Sequence, residues 1–240
     1  MKFLCIFTIV FLCGTVFSSD NEPQVNEWDW TDEITRQKCI SVRLAASLNI
    51  TYPTEDGKVS HTIYNIPSNT SWNIIGSCSD GVADQNITVE WTEPNYSKTG
   101  DTRNSINLTF KFYDNTNLYS LNAISFEINA TIFENGSDQL SNYLYVGDDF
   151  WAPEGWSYNC NKTQEYELSG VNRRYILGSI ILSNMQFEAS LTSSVDGLFR
   201  QSVQCRVDDF ETKVVFISIA GVVVLFISIG IYIYFHRFRL

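Results

Sequence analysis

The chain has 240 residues, of which 44% are hydrophobic and 18% are charged, a composition typical of a packed globular protein and not of a disordered tail. Residues 19–212 contain 12 of the 16 basic residues and all 27 acidic ones, which gives this segment a net charge of −15. So acidic a segment excludes a nucleic-acid binder, because such proteins need a basic footprint, and it disfavours docking on anionic lipid headgroups.

The first 18 residues have the pattern of a secretory signal peptide. Lys2 supplies the positive start, an apolar stretch follows it, and Val16 and Ser18 fit the −3 and −1 positions of a cleavage site. A short signal anchor is the alternative interpretation. We predict a signal peptide over residues 1–18 and, after it, an acidic stem over residues 19–38.

Four cysteines remain in the mature chain, because Cys5 and Cys13 lie in the leader. An even number of cysteines in an oxidising compartment predicts two disulfides, and the residues alone leave all three pairings open. A zinc site would need closer pairs such as C-x-x-C, so we predict no metal and no cofactor. The four cysteines are Cys39, Cys78, Cys160 and Cys205.

Residues 39–212 are predicted to form one all-β lumenal domain. Apolar residues occupy every second position of the segment 40–50, which is the period of a half-buried strand. A long apolar-rich stretch over residues 176–191 is interrupted at Gly178 and Asn184. Because no stretch of this domain has a sustained helical period, we expect an antiparallel β-prism or sandwich.

Residues 213–235 are predicted to be a transmembrane helix. From Val214 to Phe235 the chain has 22 residues without a charge. At about 1.5 Å per residue, a helix of this length spans the roughly 30 Å hydrocarbon layer. Lys213 precedes the run and basic residues follow it, so residues 236–240 are predicted to be the short cytoplasmic tail of a type I protein.

Sites for N-linked glycosylation are more frequent than chance predicts. The sequon N-x-S/T without proline occurs eight times, about twice the number expected from the Asn, Ser and Thr content. Because of this excess we prefer a glycosylated coat to a merely Asn-rich β-protein. Strand-like alternation also occurs at residues 106–112 and 121–133, and Asn107 and Asn129 fall on the polar faces of these predicted strands, which agrees with the strand assignment. The eight acceptors are Asn49, Asn69, Asn86, Asn95, Asn107, Asn129, Asn135 and Asn161.

Few residues suggest catalysis. The lumenal part has a single histidine, His61, with no strained nucleophile turn beside it, so we predict that the protein is not an enzyme. Asp148 and Asp149 have the chemistry for glycosidase action or calcium binding, but adjacent acids on a strand usually point apart. Trp151 and Trp156 favour a packed core, with a groove for a lipid or a partner as the alternative.

Four segments of the chain match the motifs of a known family. The most specific is W-A-P-E-G-W-S-Y-N-C-N-K-T-Q at residues 151–164. The others are C-I-S-V-R-L-A-A-S-L-N-I-T-Y from Cys39, I-I-G-S-C ending at Cys78, and residues 184–209. These segments resemble the membrane-proximal domain of the lysosome-associated membrane glycoproteins, and residues 151–164 are similar to that family's A-P-x-G-x-S-Y-x-C-N-K motif. The resemblance covers nearly all of residues 36–235.

The resemblance implies a β-prism domain with disulfides Cys39–Cys78 and Cys160–Cys205. It implies a protein of the lysosomal or late endosomal membrane, with the plasma membrane as a further location, that forms a protective lumenal coat and supports membrane traffic. The implied partners are the lipid bilayer, crossed by a single span, the N-glycans and, as in some members, a sterol or other lipid.

The cytoplasmic tail departs from the family's pattern. The family's tail usually ends in Gly-Tyr-x-x-Φ, whereas this chain ends in H-R-F-R-L. Sorting by a partner would explain the departure, so the alternative hypothesis is an accessory S1-type subunit of the vacuolar proton-pumping ATPase, with proton-pump membrane subunits as partners. The motif at residues 151–164 favours the lysosomal glycoproteins over this alternative.

Overall fold

The computed structural model describes residues 23–68, 70–78, 84–93, 103–113, 115–170, 176–189, 199–206 and 227–228. The predicted signal peptide and tail lie outside these ranges, as does all but two residues of the predicted transmembrane helix. Among the described residues there is no helix long and apolar enough to cross a membrane.

Thirteen strands and one short 3₁₀ helix, Ala130–Ile132, make up the regular structure of the described residues. The strands are β1 Val25–Thr31, β2 Lys38–Pro53, β3 Val59–Asn65, β4 Asn73–Ser77, β5 Gln85–Thr92, β6 Arg103–Tyr113, β7 Leu118–Asn129, β8 Leu140–Val146, β9 Trp151–Pro153, β10 Ser157–Cys160, β11 Gln164–Ser169, β12 Ile176–Ala189 and β13 Ser202–Gln204. The predicted all-β class is confirmed.

All of these strands belong to one sheet, which is antiparallel except where β10 pairs with β13. The main order is β1-β2-β12-β11-β8-β7-β6-β5-β4. The long strand β2 pairs with β12 along one edge, and with β1 and then β3 along the other. The strands therefore do not form a sandwich of two separate sheets. They form a single sheet that curls until it nearly closes.

The two end strands of this order meet at a seam. Trp30 of β1 covers Gly76 of β4, where a Cβ atom would come within 2.6 Å of the indole ring. Inside the curled sheet, the rings of Phe110 on β6 and Phe187 on β12 pack with their centroids 5.5 Å apart. Both phenylalanines are fully buried, so opposite walls of the sheet share one apolar core.

The sheet begins earlier than the predicted boundary at residue 39. Strand β1 lies within the segment predicted to be a stem, and Trp28 is buried against the core with 1% exposure. The acidic residues of this segment made its strand pattern hard to recognise in the sequence. Glu27 and Asp29 occupy the outer face and form ion pairs with Arg43 and Lys38 of β2. Apolar and acidic positions thus alternate with the period of a strand.

The predicted interruptions of the 176–191 stretch do not end the strand. Gly178 and Asn184 both lie within β12, and both have positive φ angles, of 153° and 49°. The register of β12 against β2 shifts between Ser183 and Gln186, which marks a β-bulge at Asn184. Gly178 approaches Asn49 of β2 so closely that a Cβ would lie 2.1 Å from its carbonyl oxygen.

Replacing Gly178 with alanine is expected to lower the free energy of unfolding by about 2–5 kcal/mol, because the side chain adds both backbone strain and a clash. Thermal unfolding of the purified full-length protein, followed by tryptophan fluorescence, measures the change. Gly57→Asn is the control, since Gly57 has φ 76° and open space around it, and asparagine tolerates this conformation. Equal melting temperatures for Gly178→Ala and the wild type would contradict the close approach of β12 to β2.

Candidate functional site

Two disulfides fasten the sheet at different places. Cys39 near the start of β2 is joined to Cys78, which directly follows β4, with the Cα atoms 5.9 Å apart. This bond crosses the seam between the two end regions of the sheet. Cys160 at the end of β10 is joined to Cys205 after β13, with a Cα separation of 5.0 Å. This is the pairing that the family resemblance implies.

The sequon asparagines among the described residues fall into two groups, and all of them are half-buried or exposed. One group lies inside strands: Asn49 in β2, Asn86 in β5 and Asn107 in β6. The other group lies at strand ends and in connections: Asn129 as the last residue of β7, Asn135 in an exposed turn, and Asn161 after β10. Asn69 and Asn95 lie outside the described residues.

An open groove of about 510 Å³ lies beside the Cys160–Cys205 disulfide. Tyr158 and Tyr166 form an aromatic part of its wall, and Trp151 is 48% exposed at its side. Trp151 therefore lies at the surface beside the groove and not in the core, and a lipid or partner in the groove stays a prediction. Trp156 is half-buried, and its carbonyl oxygen accepts a 2.7 Å hydrogen bond from the Tyr119 hydroxyl.

The two acids of this groove each have a phenol as a hydrogen-bond donor. The Tyr113 hydroxyl donates to Asp148 over 2.9 Å, and the Tyr145 hydroxyl donates to Asp149 over 2.7 Å. Burial raises the pKa of Tyr145, and the neighbouring Asp149 carboxylate raises it further, so this phenol stays a neutral donor. These bonds give the acid pair a role in anchoring the loop between β8 and β9.

His61, the other residue considered for chemistry, is exposed on β3 and does not line this groove. Within the ranges that the structure covers, no group of three or more His, Cys, Asp or Glu side chains is arranged to hold a metal ion.

The structure contains a buried ion pair, Glu188–Arg200, that the sequence analysis did not predict. Glu188 of β12 is 1% exposed and accepts hydrogen bonds from the backbone nitrogen of Arg200, at 3.0 Å, and from its guanidinium Nε. The pair connects β12 to the segment that leads into β13. A glutamate between buried Phe187 and Ala189 gives no local signal of burial, because its partner is 12 residues away in the chain.

The family model for the luminal domains of lysosome-associated membrane glycoprotein 2-like proteins matches residues 14–174 of the chain. This range is about two thirds of the chain and includes the motif at residues 151–164. A comparison with curated proteins finds no match.

Three solved structures have the same fold. The membrane-proximal domain of mouse lysosome-associated membrane protein 1 is 20% identical, with a TM-score of 0.58, and the alignment covers 78% of this chain and 99% of that one. Human lysosome-associated membrane protein 3 is 16% identical, with a TM-score of 0.53 and coverage of 76% and 99%. The membrane-distal domain of mouse lysosome-associated membrane protein 2 is also 16% identical, with a TM-score of 0.53 and coverage of 75% and 98%.

Replacing Arg200 with alanine is expected to lower the free energy of unfolding by about 3–5 kcal/mol, because it leaves the buried Glu188 carboxylate without its cation. Arg43→Ala is the control, since the Arg43–Glu27 pair is exposed and such pairs contribute about 0–1 kcal/mol. Chemical denaturation of the full-length protein measures both. If Arg200→Ala does not fold, adding Glu188→Gln to the same chain should restore folding. Equal stability of Arg200→Ala and Arg43→Ala would contradict the role of the Glu188–Arg200 pair.

Proposed function

Since the chain belongs to the family of lysosome-associated membrane glycoproteins, we propose that it is a heavily N-glycosylated type I protein of the lysosomal and late endosomal membrane. Its lumenal domain forms a protective coat and supports lysosomal membrane traffic. The observation that carries this proposal is the match of residues 14–174 to the luminal domains of the family.

The placement of the sequons supports a coat. The six described acceptors are half-buried or exposed, whereas the apolar residues beside them, such as Ile50 next to Asn49 and Leu108 next to Asn107, are fully buried. Glycans on the exposed Asn135 and Asn161, and on Asn86 and Asn107 of the outer face of β5 and β6, would project away from the apolar core. The signal peptide over residues 1–18 and the single membrane span over residues 213–235 are parts of the same proposal.

The comparisons give no support to the accessory subunit of the proton pump, and the family is one of structural membrane glycoproteins rather than known enzymes. A sterol or other lipid ligand stays a prediction from the family resemblance.

In cells, the full-length protein is expected to fractionate with lysosomal membranes and to lose mass when peptide N-glycosidase removes its glycans. Asn135→Gln should migrate as a form with one glycan fewer, because Asn135 lies in an exposed turn. Asn73→Gln is the matched control, since Asn73 is also exposed but is not part of a sequon. A wild-type protein that is insensitive to the glycosidase, or absent from lysosomal fractions, would refute the proposal.

If the glycans shield the protein, removing them should shorten its lifetime in lysosomes. Loss of the three acceptors at strand ends and in connections, through Asn129→Gln, Asn135→Gln and Asn161→Gln together, should shorten the lysosomal half-life of the protein. Inhibitors of lysosomal proteases should restore it, because exposed connections are the preferred sites of proteolysis. A pulse-chase experiment measures the half-life of the triple variant and of the wild type. An unchanged half-life would argue against a shielding role for these glycans.

A further inference from the structure

Two sequons face each other across neighbouring strands. Strands β5 and β6 are antiparallel, and their register sets Asn86 opposite Thr109 and Thr88 opposite Asn107. The first sequon is Asn86-Ile87-Thr88 and the second is Asn107-Leu108-Thr109. The acceptor of each sequon therefore lies beside the hydroxyl residue of the other. Ile87 and Leu108 are fully buried, which leaves both acceptors and both threonines on the outer face.

One hydrogen bond connects the two sequons in the folded sheet: the Asn107 side-chain nitrogen donates to the Thr88 hydroxyl over 2.6 Å. Within the second sequon, the Thr109 hydroxyl donates to the Asn107 oxygen over 3.0 Å. The nitrogen is the atom that an N-glycan occupies, and Thr88 is the hydroxyl that the Asn86 sequon requires. Pairing of β5 with β6 thus engages the reacting atom of one sequon with an essential group of the other.

The strand-end sequon at Asn129 has a different arrangement. Its side-chain oxygen accepts from the backbone nitrogen and the hydroxyl of Thr131, over 3.0 and 2.8 Å. Both bonds use the oxygen, and both come from within the same sequon. Among the described residues, no hydrogen bond joins the Asn129 nitrogen to another strand, in contrast to the Asn107 nitrogen.

The order in which the chain is made favours Asn86. Asn107 follows Asn86 by 21 residues, which takes roughly 1–4 s at a synthesis rate of about 5–20 residues per second. During that interval Asn86 has no β6 to pair with. Once Asn107 has emerged, β5 is already present, and a hairpin forms within about 1–10 μs. Addition to Asn107 must then compete with strand pairing.

We propose that Asn86 and Asn107 act as one coupled glycosylation site, in which Asn86 is modified first and the pairing of β5 with β6 limits modification of Asn107. The inference rests on the proposed function, which makes the domain lumenal and glycosylated. The glycan donor is a lipid-pyrophosphate-linked oligosaccharide. A bond forms between the asparagine nitrogen and the anomeric carbon, the bond from that carbon to the pyrophosphate oxygen breaks, the lipid pyrophosphate leaves, and the amide loses one proton.

The geometry also predicts that the two glycans share one surface. Diagonal neighbours on paired strands lie about 7–8 Å apart, so sugars on Asn86 and Asn107 would be in contact at their bases. Ile75 of β4, which is 49% exposed and lies opposite Thr88, is a diagonal neighbour of Asn86 and is separated from Asn107 by Thr88. A glycan on Asn86 would cover Ile75 and block the access of protein partners to the outer face of β4, β5 and β6.

Site-specific occupancy in newly made full-length protein, measured by mass spectrometry after glycosidase release in ¹⁸O water, tests the coupling. We expect high occupancy at Asn86 and Asn135 and lower occupancy at Asn107. Glu90 lies in β5, which pairs with β4 on one side and with β6 on the other. Because proline has no backbone N–H and is disfavoured in a central strand, Glu90→Pro should slow strand pairing while both sequons stay intact. It should raise the occupancy of Asn107 to that of Asn135, whether or not the variant folds. Ser141→Pro in β8 is the matched control and should leave Asn107 unchanged.

Full occupancy of Asn107 in the wild type, or an occupancy that Glu90→Pro does not raise, would overturn the coupling while an occupied Asn135 upholds the proposed function. An equal rise in Ser141→Pro would also overturn it, because the effect would then come from general misfolding. Absence of glycan at all three positions would refute both the inference and the proposed function.

Discussion

A single β-sheet can bury an apolar face only by packing against another layer or by curling onto itself. The described part of this chain takes the second route, with its strands in one sheet whose opposite walls meet at Phe110 and Phe187. The inner face then holds the core, and the outer faces of β5 and β6 stay accessible to water. Asn86 and Asn107 lie on this accessible side, so glycans attached there would not disturb the packing.

Curling creates a seam, and a seam needs fastening because it exposes unpaired strand edges. Two features join the sides of the seam: the side chain of Trp30, which covers Gly76, and the Cys39–Cys78 disulfide. The Cys160–Cys205 disulfide attaches the short strand β13 to β10 in the same way. In the loop-entropy model each bond contributes about 4 kcal/mol by restricting the unfolded chain.

Local patterns predicted the elements well where the chain alternates cleanly. The segment 40–50 is buried at every apolar position, and Asn107 lies between the buried Ile106 and Leu108. The pattern failed in β1, where acidic residues on the outer face disguised the alternation around Trp28, and at Asn184, where a bulge continues a strand that the residue type suggested would end. Glu188 could not be identified at all, because its burial depends on an arginine that the fold brings to it.

The sequence by itself determined the all-β class, the positions of the sequons, the family and most strand faces, because each of these is encoded in short stretches of chain. Only the tertiary structure decided that β1 belongs to the sheet, that the sheet closes on itself, that Glu188 meets Arg200, and that Asn86 and Asn107 oppose each other's threonines. These features depend on the register between strands that are distant in sequence. Register is set by the packing of the whole core, and a shift of one residue would turn every side chain of a strand to the other face.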